Sequence, residues 1–164
     1  MQGCPFRCYN CFNPETWDFN GGKEWNKEID NQFMELAKRP YIKRISILGG
    51  EPLADENLAD ILNLVNRIRL SLPDKTIWIY SGYTWEEIWE HNTSGTDLYG
   101  KPWQGWTIDR SYRQKILKQC DVFVDGRYID NLRDITLLWR GSLNQRVIDV
   151  QKSLKEKRVV LYEI

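Results

Sequence analysis

The sequence has no excess of either charge, no long apolar run and no segment typical of a secretory signal near its start. Its 23 lysine and arginine residues balance 23 aspartate and glutamate residues, so a generic nucleic-acid binder is not expected. No stretch approaches the roughly 18 consecutive apolar residues that a membrane helix needs. No apolar segment typical of a secretory signal follows the first residues. These absences predict a cytoplasmic protein with neither a membrane nor a nucleic-acid partner.

Histidine and cysteine are also scarce, with one and four residues respectively. Three of the cysteines, Cys4, Cys8 and Cys11, are clustered, and Cys120 stands alone. A secreted disulfide framework would spread its cysteines to join distant loops. Clustered thiols in a chain without an export signal instead predict metal binding or redox chemistry in a reducing compartment.

The length of 164 residues and a hydrophobic content of 41% are sufficient for one domain, 1–164, with a sizeable core. Strand-like runs alternate with helical patterns along this length. Strands are expected at 44–48, 76–80, 121–125, 147–150 and 159–162. The first helix is expected to begin at an Asp30 N-cap, to bury Phe33, Met34, Leu36 and Ala37, and to stop at Pro40. Further helices are expected at 55–72, from Thr84 to about Glu90 with Thr84 and Glu87 at capping-box spacing, and from an Asp109 cap to Gln119. This alternation predicts an α/β fold with a mostly parallel sheet. Residues 92–107 are polar and glycine-rich, and we expect them to form an exposed excursion.

Three predicted strands end in small or polar residues. These endings are Gly49-Gly50-Glu51-Pro52, Ser81-Gly82 and Asp125-Gly126. Because ligands of parallel α/β sheets bind at the carboxyl ends of strands, we expect the functional site along this edge.

The cysteine cluster has the spacing C-x3-C-x2-C on a turn-rich segment. Three thiolates would leave one iron of a [4Fe-4S] cluster open to a chelating substrate. A structural zinc site usually has four ligands, and His91 or Cys120 would have to supply the fourth. An inert buried cluster is the third alternative.

Together with Gly-Gly-Glu-Pro at a strand end, this cysteine motif resembles the radical S-adenosylmethionine (SAM) superfamily. The resemblance implies that Cys4, Cys8 and Cys11 hold a [4Fe-4S] cluster whose open iron binds the amino and carboxylate groups of SAM. It also implies that the backbone carbonyls around Gly49 and Gly50 accept hydrogen bonds from the SAM amino group, because glycine allows a close approach.

A narrower resemblance rests on three segments: Asn13–Trp17, Val124-Asp125-Gly126 and Trp139–Arg146. They resemble the activating proteins of anaerobic (class III) ribonucleotide reductase. The resemblance implies a shortened, open βα barrel and a SAM-derived radical that abstracts hydrogen from a glycine of the large reductase subunit. An electron donor such as a flavodoxin or ferredoxin is also implied. The alternatives are an activase of another glycyl-radical enzyme, another radical SAM enzyme, or a zinc-binding interaction module.

The same resemblance assigns the adenine contact. Many superfamily members have an aromatic residue just before the third cysteine, where this chain has Asn10. The contact therefore falls to Phe12 or to the backbone of Asn10, Cys11 and Phe12.

The remaining candidates each have two interpretations. Glu51 positions the methionine part of SAM or holds its own loop. Ser81 and Gly82 bind a ribose hydroxyl or the methionine carboxylate, or they start a helix. Asp125 is a cofactor ligand or a turn former. Arg140 pairs with a carboxylate of the cofactor or partner, or forms a structural salt bridge.

Family members also have a strand before the cysteine loop. Only three residues precede Cys4 in this sequence. We therefore expect the sheet to lack that strand and the cysteine loop to lack its anchor.

Overall fold

The computed structural model describes residues 1–89 and 108–163. The predicted excursion at 92–107 and His91 lie outside these ranges. In chain order the elements are α1 (Lys27–Ala37), β1 (Arg44–Ile47), α2 (Leu58–Ser71), β2 (Thr76–Tyr80), α3 (Trp85–Trp89), α4 (Ile108–Gln119), β3 (Val122–Asp125), β4 (Arg146–Asp149) and α5 (Val150–Glu156). None of the described helices is long and apolar enough to cross a membrane.

The four strands form one sheet in the order β1-β2-β3-β4. β1 pairs in parallel with β2, and β2 pairs in parallel with β3, with Ile79 opposite Phe123. β4 runs antiparallel to β3. The predicted α/β fold with a mostly parallel sheet is therefore confirmed, and the carboxyl ends of β1, β2 and β3 share one edge.

The helices and one face of the sheet enclose the main core. Alternate strand residues point to opposite faces, so Ile45, Ile77, Ile79, Phe123 and Ile148 pack with the apolar sides of the helices. Each of these five side chains is buried. Apolar burial of this kind stabilises the fold by roughly 25 cal/mol for each Å² removed from water.

The other face of the sheet carries a smaller aromatic cluster around Trp78. The Trp78 ring lies 5.5 Å from Trp139 and 5.2 Å from Tyr162, measured between ring centroids. The Arg44 guanidinium lies 4.4 Å from the Trp78 centroid and 4.1 Å from that of Trp139. Cation–π attraction and ring packing therefore attach the 139 segment and the end of the chain to the sheet.

The predicted start of the first helix was wrong. Asn26, rather than Asp30, caps α1, because its side chain accepts a hydrogen bond from the Ile29 amide at 2.9 Å. Asp30 instead accepts from the Trp25 indole. Leu36 was assigned to the buried side and is exposed.

Three further boundaries differ from the prediction. Val150 begins α5 and is not part of a strand, because the Asp149 side chain accepts from the Lys152 amide and caps the helix. Residues 159–162 form a single antiparallel bridge, Ile148 with Leu161, and no full strand. Asp109 is not a cap, since α4 already includes Ile108. In contrast, the predicted capping box of Thr84 and Glu87 is present.

A buried carboxylate joins β3, β4 and α3. Asp125 is 1% exposed and accepts from the Trp85 amide at 2.9 Å and from the Arg146 side chain. Arg146 also pairs with Glu86 through two hydrogen bonds. The Asp125 carboxylate thus connects the end of one strand to its neighbour and to the start of a helix.

We expect Asp125→Asn to lower the free energy of unfolding by about 2 kcal/mol, because a buried, hydrogen-bonded ion pair loses one charge. Urea unfolding followed by circular dichroism measures the change. Glu35→Gln is the matched control, since Glu35 pairs with Lys38 on the surface and should leave the transition unmoved. Equal stability of the two variants would contradict this role of Asp125.

Candidate functional site

The cysteine loop, residues 4–11, lies against the shared edge of the three parallel strands. The segment that follows it anchors its start, because Gly3 donates to the Thr16 carbonyl at 2.8 Å and Cys4 donates to that of Trp17 at 3.1 Å. A tight turn closes its end, where the Cys11 amide donates to the Cys8 carbonyl at 3.0 Å. The loop is therefore held at both ends by backbone hydrogen bonds.

The first contact is made by residues 1–3, just before the cysteine loop, with the end of β1. The Gly50 amide donates to the Met1 carbonyl at 2.9 Å, and the Glu51 amide donates to the Gly3 carbonyl at 2.7 Å. A Cβ atom on Gly50 would lie 2.4 Å from the Gly3 carbonyl oxygen, and Gly49 has a φ of +121°. The glycines thus allow the start of the chain to approach the end of β1 closely.

Glu51 links the ends of β1 and β2. Its side chain is 2% exposed and accepts hydrogen bonds from the Leu53 amide at 2.8 Å, the Ser81 hydroxyl at 2.7 Å and the Gly82 amide at 2.8 Å. Burial raises the pKa of Glu51 from 4.5 to about 7, although these hydrogen bonds and nearby Arg113 oppose the shift. The structure therefore brings together three residues that the sequence analysis selected: Glu51, Ser81 and Gly82.

The second contact is made by Phe6 at the end of β2. A Cβ atom on Gly82 would lie 2.4 Å from the Phe6 ring, which also meets Tyr83 edge-on at 4.9 Å between centroids. The Arg127 guanidinium lies 4.2 Å from the centroid of the same ring. Sequence reasoning missed Phe6, because a single aromatic residue between two cysteines carries no motif.

The third contact is with the loop that follows β3. The Tyr128 backbone amide lowers the pKa of Cys8, against the larger effect of burial. The Asp130 carboxylate accepts from the Asn10 amide group at 3.1 Å and from the Tyr128 hydroxyl at 2.7 Å. The cysteine loop therefore touches the chain at the end of each parallel strand. No sequence pattern signalled Tyr128 or Asp130.

The three thiols lie close enough to influence one another. Cys4, Cys8 and Cys11 are each partly buried. Burial is the main cause that raises the pKa values of Cys4 and Cys8, and repulsion from the other cysteines adds to it. The backbone amides of Phe6 and Arg7 lower the pKa of Cys4 and so act in the opposite direction. A thiolate-binding group at this position would relieve the repulsion.

Within residues 1–89 and 108–163, no three Cys, His, Asp or Glu side chains form a group suited to a single metal ion. A zinc ion would need its thiolates about 2.3 Å from one centre. A [4Fe-4S] cluster does not require such convergence, because each thiolate binds a different iron. Three free, partly buried thiols on one loop that is held at both ends fit the cluster.

The other predicted residues are dispersed around this edge. Phe12 presents a ring that is 94% exposed next to Cys11. Asp125 faces Arg146 and the start of α3, as described above. Arg140 donates to the Gln145 carbonyl at 2.8 Å. Cys120 is buried in the main core, where burial raises its pKa, and it is not part of the cysteine loop.

The raised pKa of Glu51 predicts a specific pH dependence. The folded protein retains the proton up to about pH 7, whereas the unfolded chain releases it near pH 4.5. The contribution of this group to stability is therefore fully present below pH 4.5 and is lost as the pH rises to 7, a change of about 3 kcal/mol. Glu51→Gln should flatten this part of the stability curve when unfolding is measured between pH 4.5 and 8. An unchanged slope in the variant would rule out the assignment.

Comparison with known proteins identifies relatives of this chain. The family model described as a 4Fe-4S single cluster domain matches residues 1–148. Two relatives are named anaerobic ribonucleoside-triphosphate reductase-activating protein. The relative from Escherichia coli (strain K12) is 34% identical to this chain, over 90% of this chain and 83% of the relative. The relative from Vibrio cholerae is 34% identical, over 88% of this chain and 81% of the relative. The relative from Enterobacteria phage T4 is 30% identical, over 90% and 79%. No solved structure matches the chain.

These matches confirm the narrower resemblance, which the Asn13–Trp17, Val124-Asp125-Gly126 and Trp139–Arg146 segments indicated. They extend over nearly the whole described chain, including the cysteine loop and the three strand ends. The chain belongs to the family of anaerobic ribonucleoside-triphosphate reductase-activating proteins.

Proposed function

We propose that the protein is a radical SAM activase that generates a glycyl radical on an anaerobic ribonucleotide reductase. The observation that carries the proposal is the cysteine loop, whose three thiols are held at the carboxyl ends of three parallel strands in a chain of this family. We place the protein in the cytoplasm, and we interpret its sheet as part of a shortened, open βα barrel.

Cys4, Cys8 and Cys11 would hold a [4Fe-4S] cluster and leave one iron open. When bound and reduced, this cluster supplies one electron to the SAM sulfonium, which divides into methionine and a 5′-deoxyadenosyl radical that takes a hydrogen atom from a glycine. The protein keeps its three ligands in place through the backbone hydrogen bonds at both ends of the cysteine loop.

The residues around the loop would bind SAM. The carbonyl oxygens of Gly49 and Gly50 accept no hydrogen bond from the residues that the structure describes, so they are available to the methionine amino group. Phe12 offers an exposed ring to adenine, next to the backbone of Asn10 and Cys11.

Glu51, Ser81, Gly82 and Asp125 would act indirectly. The hydrogen bonds of Glu51 to Leu53 and Ser81 favour the loop-holding interpretation of that residue. Those of Asp125 to Trp85 and Arg146 favour a structural role over that of a cofactor ligand. Ser81 and Gly82 each donate to Glu51, and Gly82 also leaves room for Phe6. These residues would therefore position the cysteine loop and the glycine carbonyls at the strand ends.

The partner would be the large subunit of the reductase, and a flavodoxin or ferredoxin would supply the electron. The names of the relatives support the first assignment. Activation of another glycyl-radical enzyme, or another radical SAM reaction, would use the same loop. A zinc-binding module would use the same thiols without iron.

Alanine substitution of each cysteine tests the ligand set. We expect Cys4→Ala, Cys8→Ala and Cys11→Ala to lose nearly all iron and sulfide after anaerobic reconstitution, because each removes a cluster ligand. Cys120→Ala is the matched control and should retain the wild-type content, since Cys120 lies in the core. Zinc without iron in the wild-type protein would refute the activase and favour the zinc module.

The reaction itself can be followed by electron paramagnetic resonance (EPR). The reconstituted protein, the large reductase subunit, SAM and dithionite should produce a glycyl radical signal together with 5′-deoxyadenosine and methionine. The signal should disappear when SAM is omitted. If SAM is cleaved without a radical on the reductase, the protein acts on another substrate.

A further inference from the structure

A small hairpin of residues 132–143 lies between the loop after β3 and the start of β4, and we call it the late hairpin. The Leu143 amide donates to the Leu132 carbonyl at 2.9 Å, and Arg133 and Ser142 form an antiparallel bridge. The proposed function gives this hairpin no role, although it includes the start of the late segment that carries the family resemblance.

Three apolar side chains of the late hairpin line an open cleft on the surface. They belong to Leu132, Ile135 and Leu143, and all three are exposed, Ile135 to 85%. Polar residues complete the lining, namely Asn131, Arg133 and Asp134. Single exposed apolar side chains are ordinary on a protein surface, but several around one cleft mark a binding surface. We call this surface the apolar cleft.

The base of the late hairpin is firmly attached to the rest of the protein. The Ser142 side chain is fully buried, and its hydroxyl accepts from the Ile129 amide at 3.2 Å. The Gln145 side chain donates to the Gly126 carbonyl at 2.9 Å, and the Trp139 ring packs on the sheet. The apolar cleft is therefore a fixed surface, which loses little conformational freedom when a partner covers it.

The apolar cleft lies beside the cysteine loop. Asn10 of that loop donates to the Asp130 carboxylate at 3.1 Å. Asp130 begins a short helical turn that ends at Leu132, a residue of the cleft. Tyr9, next to Asn10 in the cysteine loop, is exposed as well. A protein that brings one of its glycines to the cysteine loop therefore comes within reach of the cleft.

We propose that the apolar cleft is a docking surface for the large subunit of the reductase and takes apolar side chains of that subunit. The inference rests on the proposed function, in which a glycine of that subunit reaches the cysteine loop, and the names of the relatives support the choice of partner.

The composition of the cleft agrees with a protein partner. An apolar centre surrounded by polar side chains is the usual arrangement of a protein–protein interface. Arg133 and Asp134 give the rim charges of both signs. Nucleic acids and anionic membranes instead attract clusters of basic side chains.

The test measures the affinity of the reconstituted full chain for its cognate large reductase subunit. Anaerobic isothermal titration calorimetry with SAM, but without a reductant, gives the Kd while no reaction occurs. Ile135→Asn and Leu143→Asn remove apolar surface from the cleft without adding charge. Both side chains are exposed, so these changes leave the core intact. Iron content and thermal unfolding check the cluster and the fold of each variant.

Two leucines at the opposite edge of the sheet provide matched controls. Leu70 is 85% exposed, as Ile135 is, and Leu36 is about half exposed, as Leu143 is. Each lies near the end of a helix that leads into a strand, and therefore toward the amino ends of the strands. Leu70→Asn and Leu36→Asn make the same chemical change away from the cysteine loop.

We expect Ile135→Asn to raise the Kd by about tenfold, because an isoleucine side chain that is buried on binding contributes at least this factor. Leu143→Asn should raise the Kd in the same direction, and Ile135→Leu, which keeps the cleft apolar, should retain the wild-type Kd. The reductase concentration that gives half-maximal radical formation should rise in parallel with the Kd. Leu70→Asn and Leu36→Asn should bind as the wild type does.

An unchanged Kd in both cleft variants would overturn the docking surface while leaving the proposed function intact. Equal weakening in the control variants would also reject it, because the effect would then not depend on the cleft. A wild-type dimer that Ile135→Asn dissociates, with unchanged reductase binding, would show that a second copy of the chain covers the cleft instead. A wild-type protein that forms no glycyl radical on the reductase would refute the proposed function itself, whatever the Kd values.

Discussion

The rest of the site depends on the hydrogen bonds that Glu51 makes. Glu51 follows β1, its backbone amide donates to the Gly3 carbonyl just before the cysteine loop, and its buried carboxylate accepts from Ser81 and Gly82 at the end of β2. A buried carboxylate is costly unless its oxygens are paired, so these donors must stay in place for the protein to remain folded. The strand ends and the start of the cysteine loop are therefore held in one arrangement by a single residue.

The cysteine loop makes further contacts besides those of Glu51. Phe6 packs on Gly82, and Asp130 in the loop after β3 accepts a hydrogen bond from Asn10 in the second half of the cysteine loop. The three thiols thus lie on a loop supported at several points by a rigid sheet. Such support matters for cysteine ligands of an iron–sulfur cluster, because the groups around the sulfurs determine the reduction potential of the cluster.

Local patterns predicted much of this from the sequence. The three parallel strands, the cysteine loop and its family resemblance were all visible in short segments. The long-range pairings were not, since Asn10 and Asp130 are 120 residues apart and carry no shared motif. Asp30 and Asn26 are both good helix caps, and only the position of the Ile29 amide decides between them. The close approach of the chain's first residues to Gly49 and Gly50 was not predicted either, because only the folded chain brings residues 1–3 beside the end of β1.

Mössbauer spectroscopy of protein reconstituted with ⁵⁷Fe, with and without SAM, tests the central claim most directly. The account predicts a [4Fe-4S] cluster in which one iron differs from the three bound by Cys4, Cys8 and Cys11, and the signal of that iron should shift when SAM is added. Four equivalent irons that do not respond to SAM, or no iron–sulfur cluster at all, would contradict it.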